Sequence, residues 1–376
     1  MNGITAYGAY IPRARLSKQS MAETNAWFDA GLKSLGKGER SICNWDEDTI
    51  TMAVEAASAC RAAMGEQSVS ALYLASTTFP FLDRQNSVLV AEALNMDRTL
   101  RTMDIGGSQR AATSALIALL EGSDETSALL VASEHRRSKA GSRAEMLWGD
   151  AAAAVAIGSD NVIAEVLGIE TLAVDFVDHY RGDKASFDYG WEERWIRDEG
   201  FMKSVPTAVI ALFEKCSVSS EEIDYFILPT DQARTPMGLA RKLGIDGDAV
   251  VDNQISNVGV TGAAQSILLL VKTLEQAKAG DLILVTGFGQ GCDAILLRAT
   301  KAITDFKPAQ GVSRALAARR EETNYNKLLS FNNLIERETG KRGEVDKQTY
   351  LSGYNRRKDL LTSFYVDRFA GLSQKS

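Results

Sequence analysis

The fold is decided by the stretch DIGGSQRAATSALIALL at residues 104–120. A short apolar strand end runs into two glycines and then into Ser108, Gln109 and Arg110, after which small residues predict a helix that packs closely against a sheet. Such a strand–turn–helix elbow directs backbone N–H groups and the positive end of the helix dipole at one spot, which favours negative charge there. It usually presents a nucleophile. Here Gln109 occupies that position, and its amide cannot act as one.

The composition is that of a globular chain. Its 376 residues, 45% of them hydrophobic, are enough to bury a large core in one or two domains. No apolar run reaches the roughly 18 to 20 residues of a membrane span and no signal peptide opens the sequence, so we expect a cytoplasmic protein that does not bind a membrane. Because the two histidines and four cysteines form no ligand or pairing pattern, we expect reduced thiols and no metal site.

Charge is distributed unevenly along the chain. Residues 301–376 hold 15 Lys/Arg and 9 Asp/Glu, a net charge of +6, which leaves −13 for residues 1–300 out of the total of −7. The negative total argues against nucleic-acid binding, and the basic tail contains no recognition motif. We therefore interpret the tail as a solvated helical segment or a protein-contact arm rather than as a nucleic-acid patch.

The second half of the sequence repeats the order of the first at an offset near 150 residues. The matching segments are YFILPT with ALYLAS, SNVGVTGAAQSILLLVKTLEQ with the elbow, DLILVTG with SALLVAS, and GCDAILL with GDAAAAV. A constant offset indicates an internal duplication. Because buried strands alternate with helices, the fold class is α/β, and two such halves predict a duplicated five-layer αβαβα sandwich with the elbow helices at its centre. We place the halves at 1–160 and 161–300, followed by a helical extension at 301–376.

The duplication, the elbows and GFGQG at residues 287–291 resemble the thiolase superfamily, and the chain is most similar to its hydroxymethylglutaryl-CoA synthase and ketoacyl synthase III branch. GITAYGAYIPRARL at residues 3–16 and DEDTITMAVEAA at residues 46–57 resemble the opening of archaeal-type hydroxymethylglutaryl-CoA synthases. The resemblance implies a coenzyme A thioester as ligand and no covalently bound cofactor. It also implies a dimer with the same or a second thiolase-like chain, and a small zinc-ribbon/OB-fold partner.

The same resemblance assigns roles to positions of this sequence. The elbow cysteine that accepts the acyl group in the family corresponds to Gln109, and the acid/base glutamate corresponds to Thr77 in STTFP. The family histidine corresponds to Asp231 in TDQART. The family asparagine corresponds to Val260, with Asn257 three residues away. At each of these positions the residue differs from the one that the family uses.

Other residues are candidates for a substrate-binding role. Arg110, beside the elbow, needs a counter-charge if it is buried, and we favour an ion pair with Asp231 over a role of Asp231 as general base. Gly289 and Gly291 in the glycine loop offer backbone amides to a thioester oxygen. Cys292 follows that loop and is close enough in sequence to contact the pocket, although a buried structural thiol is the commoner case.

Three functional interpretations follow. We favour a hydroxymethylglutaryl-CoA synthase-like subunit, without an elbow nucleophile, of a hetero-oligomer that processes acyl-CoA thioesters by forming or cleaving carbon–carbon bonds. The alternative is an enzyme in its own right, a decarboxylase or aldolase-like lyase that uses Gln109 and Asp231 without a covalent intermediate. Gln109 and Thr77 argue against the third, an ordinary hydroxymethylglutaryl-CoA synthase.

The tail carries a further prediction. KLLSFNNLIERETG at residues 327–340 spaces its apolar residues as on one helical face. We expect that face to be exposed on the free chain and to dock the zinc-ribbon/OB-fold partner. The core is then independent of the tail, and deletion from Lys307 onward leaves a folded dimer.

Overall fold

The computed structural model describes residues 2–65, 67–122 and 127–337. The elements of the first half are β1 (Gly3–Tyr10), β2 (Ala14–Ser17), α1 (Lys18–Asn25), β3 (Glu39–Ser41), α2 (Thr49–Met64), β4 (Ala71–Ala75), α3 (Asn86–Ala93), β5 (Arg101–Ile105), α4 (Ala111–Leu120), β6 (Ala128–Glu134), α5 (Arg143–Leu147) and β7 (Ala151–Gly158). Within the described residues, none of the helices has the length and apolar character that a bilayer crossing demands.

The second half and the C-terminal segment follow in the same way. Their elements are β8 (Ala164–Ala173), β9 (His179–Tyr180), β10 (Tyr189–Gly190), α6 (Glu193–Trp195), α7 (Met202–Cys216), β11 (Tyr225–Ile227), α8 (Thr235–Leu243), α9 (Gln265–Leu274), β12 (Leu282–Phe288), β13 (Gly291–Ala299), α10 (Val312–Ala317), β14 (Arg320–Glu322) and α11 (Tyr325–Phe331). A π-helical turn, Ile196–Phe201, joins α6 to α7.

The sheet topology confirms the duplication. One sheet runs in the order β11-β12-β13-β8-β1-β7-β6-β4-β5. Read outward from its middle, the first half contributes β1-β7-β6-β4-β5 and the second contributes β8-β13-β12-β11, followed by a single bridge between Phe226 and Val250. β1 and β8 pair at only two positions, Gly3 with Glu165 and Ile4 with Ala164, so the strands of the two halves join at a short seam in the middle of this sheet.

The layers follow from where each half buries its apolar side chains. The elbow helices α4 and α9 lie in the centre, where Ala112, Ala115 and Leu116 share a core with Ile267 and Leu268. Small residues on α4 permit this close packing, because alanine brings the helix axis near its neighbours. The outer face of the first half is covered by α2 and α3, and that of the second by α7 and α8. The predicted αβαβα order is therefore confirmed.

The C-terminal segment, as far as it is described, packs on the first half. β14 pairs in parallel with β2, matching Arg320 to Ala14, and Tyr325 and Leu328 of α11 are buried beside Leu16. The helix is thus Tyr325–Phe331, and its apolar face is turned to the core. The expectation of an exposed face and a core independent of residues 301–376 is wrong for this part, because these side chains complete an apolar cluster. The remainder of the predicted face, from residue 338, lies outside the described residues.

Candidate functional site at the elbow

The elbow is built as the sequence predicts. β5 ends at Ile105, and Gly107 adopts φ +82°, a conformation that favours glycine, before α4 begins. The glycine loop between β12 and β13 approaches from the second half, and Ser108 Oγ donates to the carbonyl oxygen of Gly289 at 3.0 Å. A Cβ on Gly289 would lie 2.5 Å from Ser108 Oγ. The absence of a side chain there is therefore what lets the loop reach the elbow.

A cavity of about 350 Å³ opens beside Gln109, and we call it the elbow cavity. Its apolar wall is formed by Leu147, Trp148, Trp191, Ile196, Phe201 and Phe288. Its polar end is formed by Gln109, Arg136, Asp178, His179, Asp188 and Asp231. An apolar pocket with a few converging polar groups is the usual form of a small-molecule site.

Gln109 connects two groups at the polar end. With its amide oxygen turned towards Arg136, that oxygen accepts from Nη1 at 2.6 Å and Nη2 at 3.0 Å, and from His179 Nε2 at 3.2 Å. The other ring nitrogen of His179, Nδ1, lies 2.8 Å from Asp178 Oδ2. The position of the expected nucleophile therefore holds an acceptor that orients a guanidinium and a carboxylate-supported imidazole.

Arg136 is held in place by Asp188 and Trp148 in addition to Gln109. Its Nη2 pairs with Asp188 Oδ2 at 2.5 Å, and its guanidinium stacks on the Trp148 ring at 3.7 Å from the centroid. Asp188 also accepts from Arg181 at 2.7 Å. Burial opposes ionisation of Asp188, but the charges of Arg136 and Arg181 overcome it and hold the pKa of this carboxyl below its usual range.

The chain is similar in sequence to known proteins. Residues 213–298 match the family model of the C-terminal part of 3-oxoacyl-[acyl-carrier-protein] synthase III. Over 333 residues the chain is 31% identical to the hydroxymethylglutaryl-CoA synthase of Aeropyrum pernix, an alignment that covers 86% of this chain and 92% of that protein. The chain belongs to the hydroxymethylglutaryl-CoA synthase family.

Further relatives agree with this assignment. The hydroxymethylglutaryl-CoA synthase of Methanobrevibacter smithii is 26% identical over 347 residues, covering 89% of this chain and 99% of the relative. MvaS in complex with 3-hydroxy-3-methylglutaryl coenzyme A superposes with a TM-score of 0.77 at 17% identity, over 91% and 94% of the two chains. FabH from Pseudomonas aeruginosa PAO1, a 3-oxoacyl-(acyl carrier protein) synthase III, gives 0.70 at 22%, over 80% and 98%. At such identities the structural matches establish the fold alone.

Two residues matched to family positions meet at the elbow. Gln109 and Thr77 share a smaller cleft of about 230 Å³ with Gly289 and His179. Thr77 also donates to the buried Glu134, through its backbone N–H and its hydroxyl, both at 3.1 Å. Thr78 and the backbone N–H of Ala263 bind the same carboxylate. Glu134 was missed in the sequence, where the signal is an acidic residue that ends a buried strand.

Asp231 lines the elbow cavity, but not as predicted. Arg110 pairs instead with Asp293, Nη1 to Oδ1 at 2.8 Å, so the proposed Arg110–Asp231 pair is wrong. Within the described residues Asp231 has no ion-pair partner. Crowding by protein atoms raises the pKa of Asp231, opposed by the charges of Arg136 and Arg143. The Asp231 residue is exposed to solvent.

The remaining candidates divide between the cavity and the core. Val260 lines the elbow cavity, whereas Asn257 is exposed in a different cleft beside Arg15 and Glu39. Cys292 is fully buried among apolar side chains, and burial raises the pKa of its thiol. The prediction that Cys292 contacts substrate is therefore wrong.

Gly291 and Arg110 also fail as substrate contacts. The Cα of Gly291 packs so closely on the backbone of Leu172 that a Cβ would lie 1.9 Å from its carbonyl oxygen. Arg110 is engaged by Asp293 and by the same Leu172 carbonyl oxygen at 3.2 Å. Arg110 joins the two halves of the fold, whereas Gly291 packs between neighbouring strands of the second half.

Proposed function

We propose that this chain binds a coenzyme A thioester in the elbow cavity and serves as the non-nucleophilic subunit of a complex that forms or cleaves a carbon–carbon bond beside the thioester. The observation that carries the proposal is Gln109, hydrogen-bonded to Arg136 and His179 where the family nucleophile is expected. Support for the ligand comes from similar proteins, one described in complex with 3-hydroxy-3-methylglutaryl coenzyme A and another with CoA.

The elbow cavity has an apolar wall and a polar end, which match the acyl chain and the thioester group of such a ligand. The apolar wall, with Trp148, Phe201 and Phe288, excludes water from an acyl chain. The polar end offers N–H donors of Arg136 and His179 to a thioester oxygen. Gln109 cannot accept the acyl group, because an amide is not a nucleophile at neutral pH.

The test is covalent labelling. Binding of acetyl-CoA or a longer acyl-CoA to the wild-type chain is expected to quench the fluorescence of Trp148 and Trp191. In intact-mass spectrometry the wild-type chain is expected to gain no acyl mass. Gln109→Cys introduces a thiol at the elbow, beside His179, and is expected to gain the acyl mass. Cys292→Ser is the matched control. A stable acyl adduct on the wild-type chain would contradict the proposal.

A second candidate, favoured by the freedom of Asp231, is an enzyme that acts alone as an aldolase-like lyase or decarboxylase. In the aldol cleavage Asp231 takes the proton of a β-hydroxyl, the Cα–Cβ bond breaks, and its electron pair forms an enolate of the thioester. The enolate oxygen replaces the Gln109 oxygen as acceptor of the His179 Nε2–H. A carbonyl compound and, after protonation at Cα, a shortened acyl-CoA leave. Turnover by the purified chain alone, lost in Asp231→Asn, favours this candidate over the subunit.

The proposed complex includes a thiolase-like partner, either a second copy or a different chain. β5 ends the described sheet, and its outer edge carries backbone groups that a further strand can pair with. Met103 on β5 is 45% exposed. Met103→Lys is expected to give a monomer in light scattering, whereas Met237→Lys, on the equally exposed α8 surface, leaves the dimer intact. A dimer that survives Met103→Lys contradicts pairing through β5.

The zinc-ribbon/OB-fold partner is proposed to bind the end of the tail. Residues 301–337 are occupied by packing on the core, so the docking proposal now concerns residues 338–376, which hold 8 Lys/Arg and 5 Asp/Glu. Deleting residues 338–376 is expected to leave a folded chain that no longer retains its co-expressed partner. Unchanged retention contradicts the assignment. The free state of all four cysteines supports a reducing, cytoplasmic location as part of the same proposal.

A further inference from the structure

Three metal-ligating side chains meet outside the elbow cavity. Cys43 follows β3, His135 follows β6 and Asp150 precedes β7, and one ligand atom from each lies within 4.8 Å of the other two. Cys43 is 4% exposed and Asp150 is fully buried, while the His135 side chain is 19% exposed. We call these three residues the Cys–His–Asp cluster. The fold thus brings together a thiol, an imidazole and a carboxylate from three distant segments.

Two atoms of the cluster lack hydrogen bonds within the described residues. His135 Nδ1 and Asp150 Oδ1 are both buried, and they face each other at 3.1 Å without the alignment of a hydrogen bond. The second oxygen of Asp150 is satisfied by the N–H of Cys43 at 2.8 Å. The two atoms form an ion pair with each other, and apart from it neither has a hydrogen bond within the described residues, so both remain available to a cation.

A cation of the zinc class fits between these atoms. Zinc binds nitrogen and carboxylate oxygen at about 2.0–2.2 Å, so two such ligands at a tetrahedral angle lie roughly 3.3–3.6 Å apart, slightly more than the observed 3.1 Å. The Cys43 thiol donates to Met52 Sδ at 3.6 Å, and this bond is given up when the sulfur binds a cation as a thiolate. Closing the 4.8 Å spread to a coordination sphere requires movements on the order of 1 Å.

The charges also balance. A thiolate and a carboxylate together neutralise a divalent cation, and a neutral imidazole completes the set. On binding, the Cys43 thiol and, where protonated, the His135 ring release their protons to solvent. The second oxygen of Asp150 keeps its bond to the Cys43 N–H, as ligating carboxylates usually do.

We propose that Cys43, His135 and Asp150 form a structural binding site for a Zn²⁺-class divalent cation. The site ties the end of β6 to the start of β7. Arg136 follows His135 directly, so the cation would hold in place the segment that carries this arginine into the elbow cavity.

The experiment uses the full chain, stripped with a chelator and dialysed, with Co²⁺ as the spectroscopic probe. Wild-type protein is expected to bind one equivalent with a thiolate-to-cobalt absorption band, and Zn²⁺ is expected to displace the cobalt and raise the melting temperature. Cys43→Ser removes the band. Cys60→Ser, a change at another fully buried thiol, retains it.

A second variant keeps the proposal testable if Cys43→Ser does not fold. His135→Asn, at the half-buried member, is expected to weaken cobalt binding at least about tenfold while the circular dichroism is unchanged. A folded wild-type chain that gives no band, or a band that persists in Cys43→Ser, overturns the proposal. In either case the cluster is a plain imidazole–carboxylate ion pair beside a buried thiol.

Discussion

Two ion pairs lie beside the elbow, and their surroundings differ. Arg110 pairs with Asp293 between the two halves of the fold, and Arg136 pairs with Asp188 at the elbow cavity. Burial does not separate them, since the exposed fractions are 15% and 1% in the first pair and 5% and 6% in the second. The difference lies in the remaining hydrogen-bond capacity of each pair.

The Arg110–Asp293 pair is saturated from within the packed core. The second oxygen of Asp293 accepts from the hydroxyls of Thr113 and Ser114, both at 2.8 Å. In the other pair, Asp188 lies in the connection between β9 and β10, and Arg136 faces Gln109 and the cavity. Arginine therefore serves two purposes at the elbow. Arg110 joins the two halves of the fold, and Arg136 presents hydrogen-bond donors to a ligand.

The largest expected effect comes from Asp293→Asn. The change leaves Arg110 without its counter-charge in a dry interface, and we expect the free energy of unfolding to fall by about 3–5 kcal/mol. Denaturant unfolding measures the loss, with the exposed Asp305→Asn as control. A loss below about 1 kcal/mol would show that the pair does not hold the halves together.

Asp188→Asn is expected to cost less, about 1–3 kcal/mol, because Arg136 keeps its contacts with Trp148 and Gln109. The pKa of Asp188 is lowered in the folded chain, so its stabilisation is present above the unfolded pKa of about 3.9 and is lost as the pH falls through the folded value. The difference between wild type and variant should therefore shrink below about pH 4. A difference independent of pH contradicts this origin. Thioester binding should weaken as well.

Gln109→Leu tests the link between the pair and the elbow. Removing the amide oxygen deprives Arg136 and His179 of a shared acceptor, and we expect a loss of about 1 kcal/mol in stability. Gln109→Glu keeps an acceptor and should restore most of it. If the two variants are equally destabilised, the acceptor is not what orients Arg136. Thermal unfolding measures the loss of stability, and the fluorescence titration with acyl-CoA measures the effect on ligand binding.

Asp231→Asn should have the smallest effect on stability, within about 0.5 kcal/mol at neutral pH. The pKa of Asp231 is raised in the folded chain, so its contribution is favourable below the unfolded pKa and is lost as the pH rises through the folded value. The variant should then be as stable as wild type, or slightly more so, at pH 7. A loss above about 1 kcal/mol would reveal a structural partner. Any turnover by the chain alone should disappear.

The fold was predictable because duplication and hydrophobic runs are written in the sequence. A constant offset matched β11 with β4 and β12 with β6, and the elbow marked the centre of the sandwich. The ion pairs were not, because spacing along the chain does not report which loops meet. Asp293 carried a readable signal, a single acidic residue inside the apolar run GCDAILL, which calls for a buried partner.

The cavity residues were the least predictable part. His179 and Asp188 come from a short hairpin with no hydrophobic period, and Arg136 follows a strand from the other half of the fold. Only the folded chain places them around Gln109. The tail was predicted wrongly for a related reason, since a helical face in sequence does not say whether the surface that covers it belongs to a partner or to the chain itself.

The parallel pairing of β14 with β2 has a consequence for how the chain folds. Residues 320–322 complete a small sheet begun by residues 14–16, so about 300 residues of chain must be made before that sheet is closed. Contacts of such long range are formed late and slowly, because the entropy of a large loop is lost before they form. During synthesis the first half therefore emerges with Leu16 and Met21 lacking the cover that Tyr325 and Leu328 give in the folded chain, and we expect this incomplete apolar cluster to favour chaperone binding or aggregation.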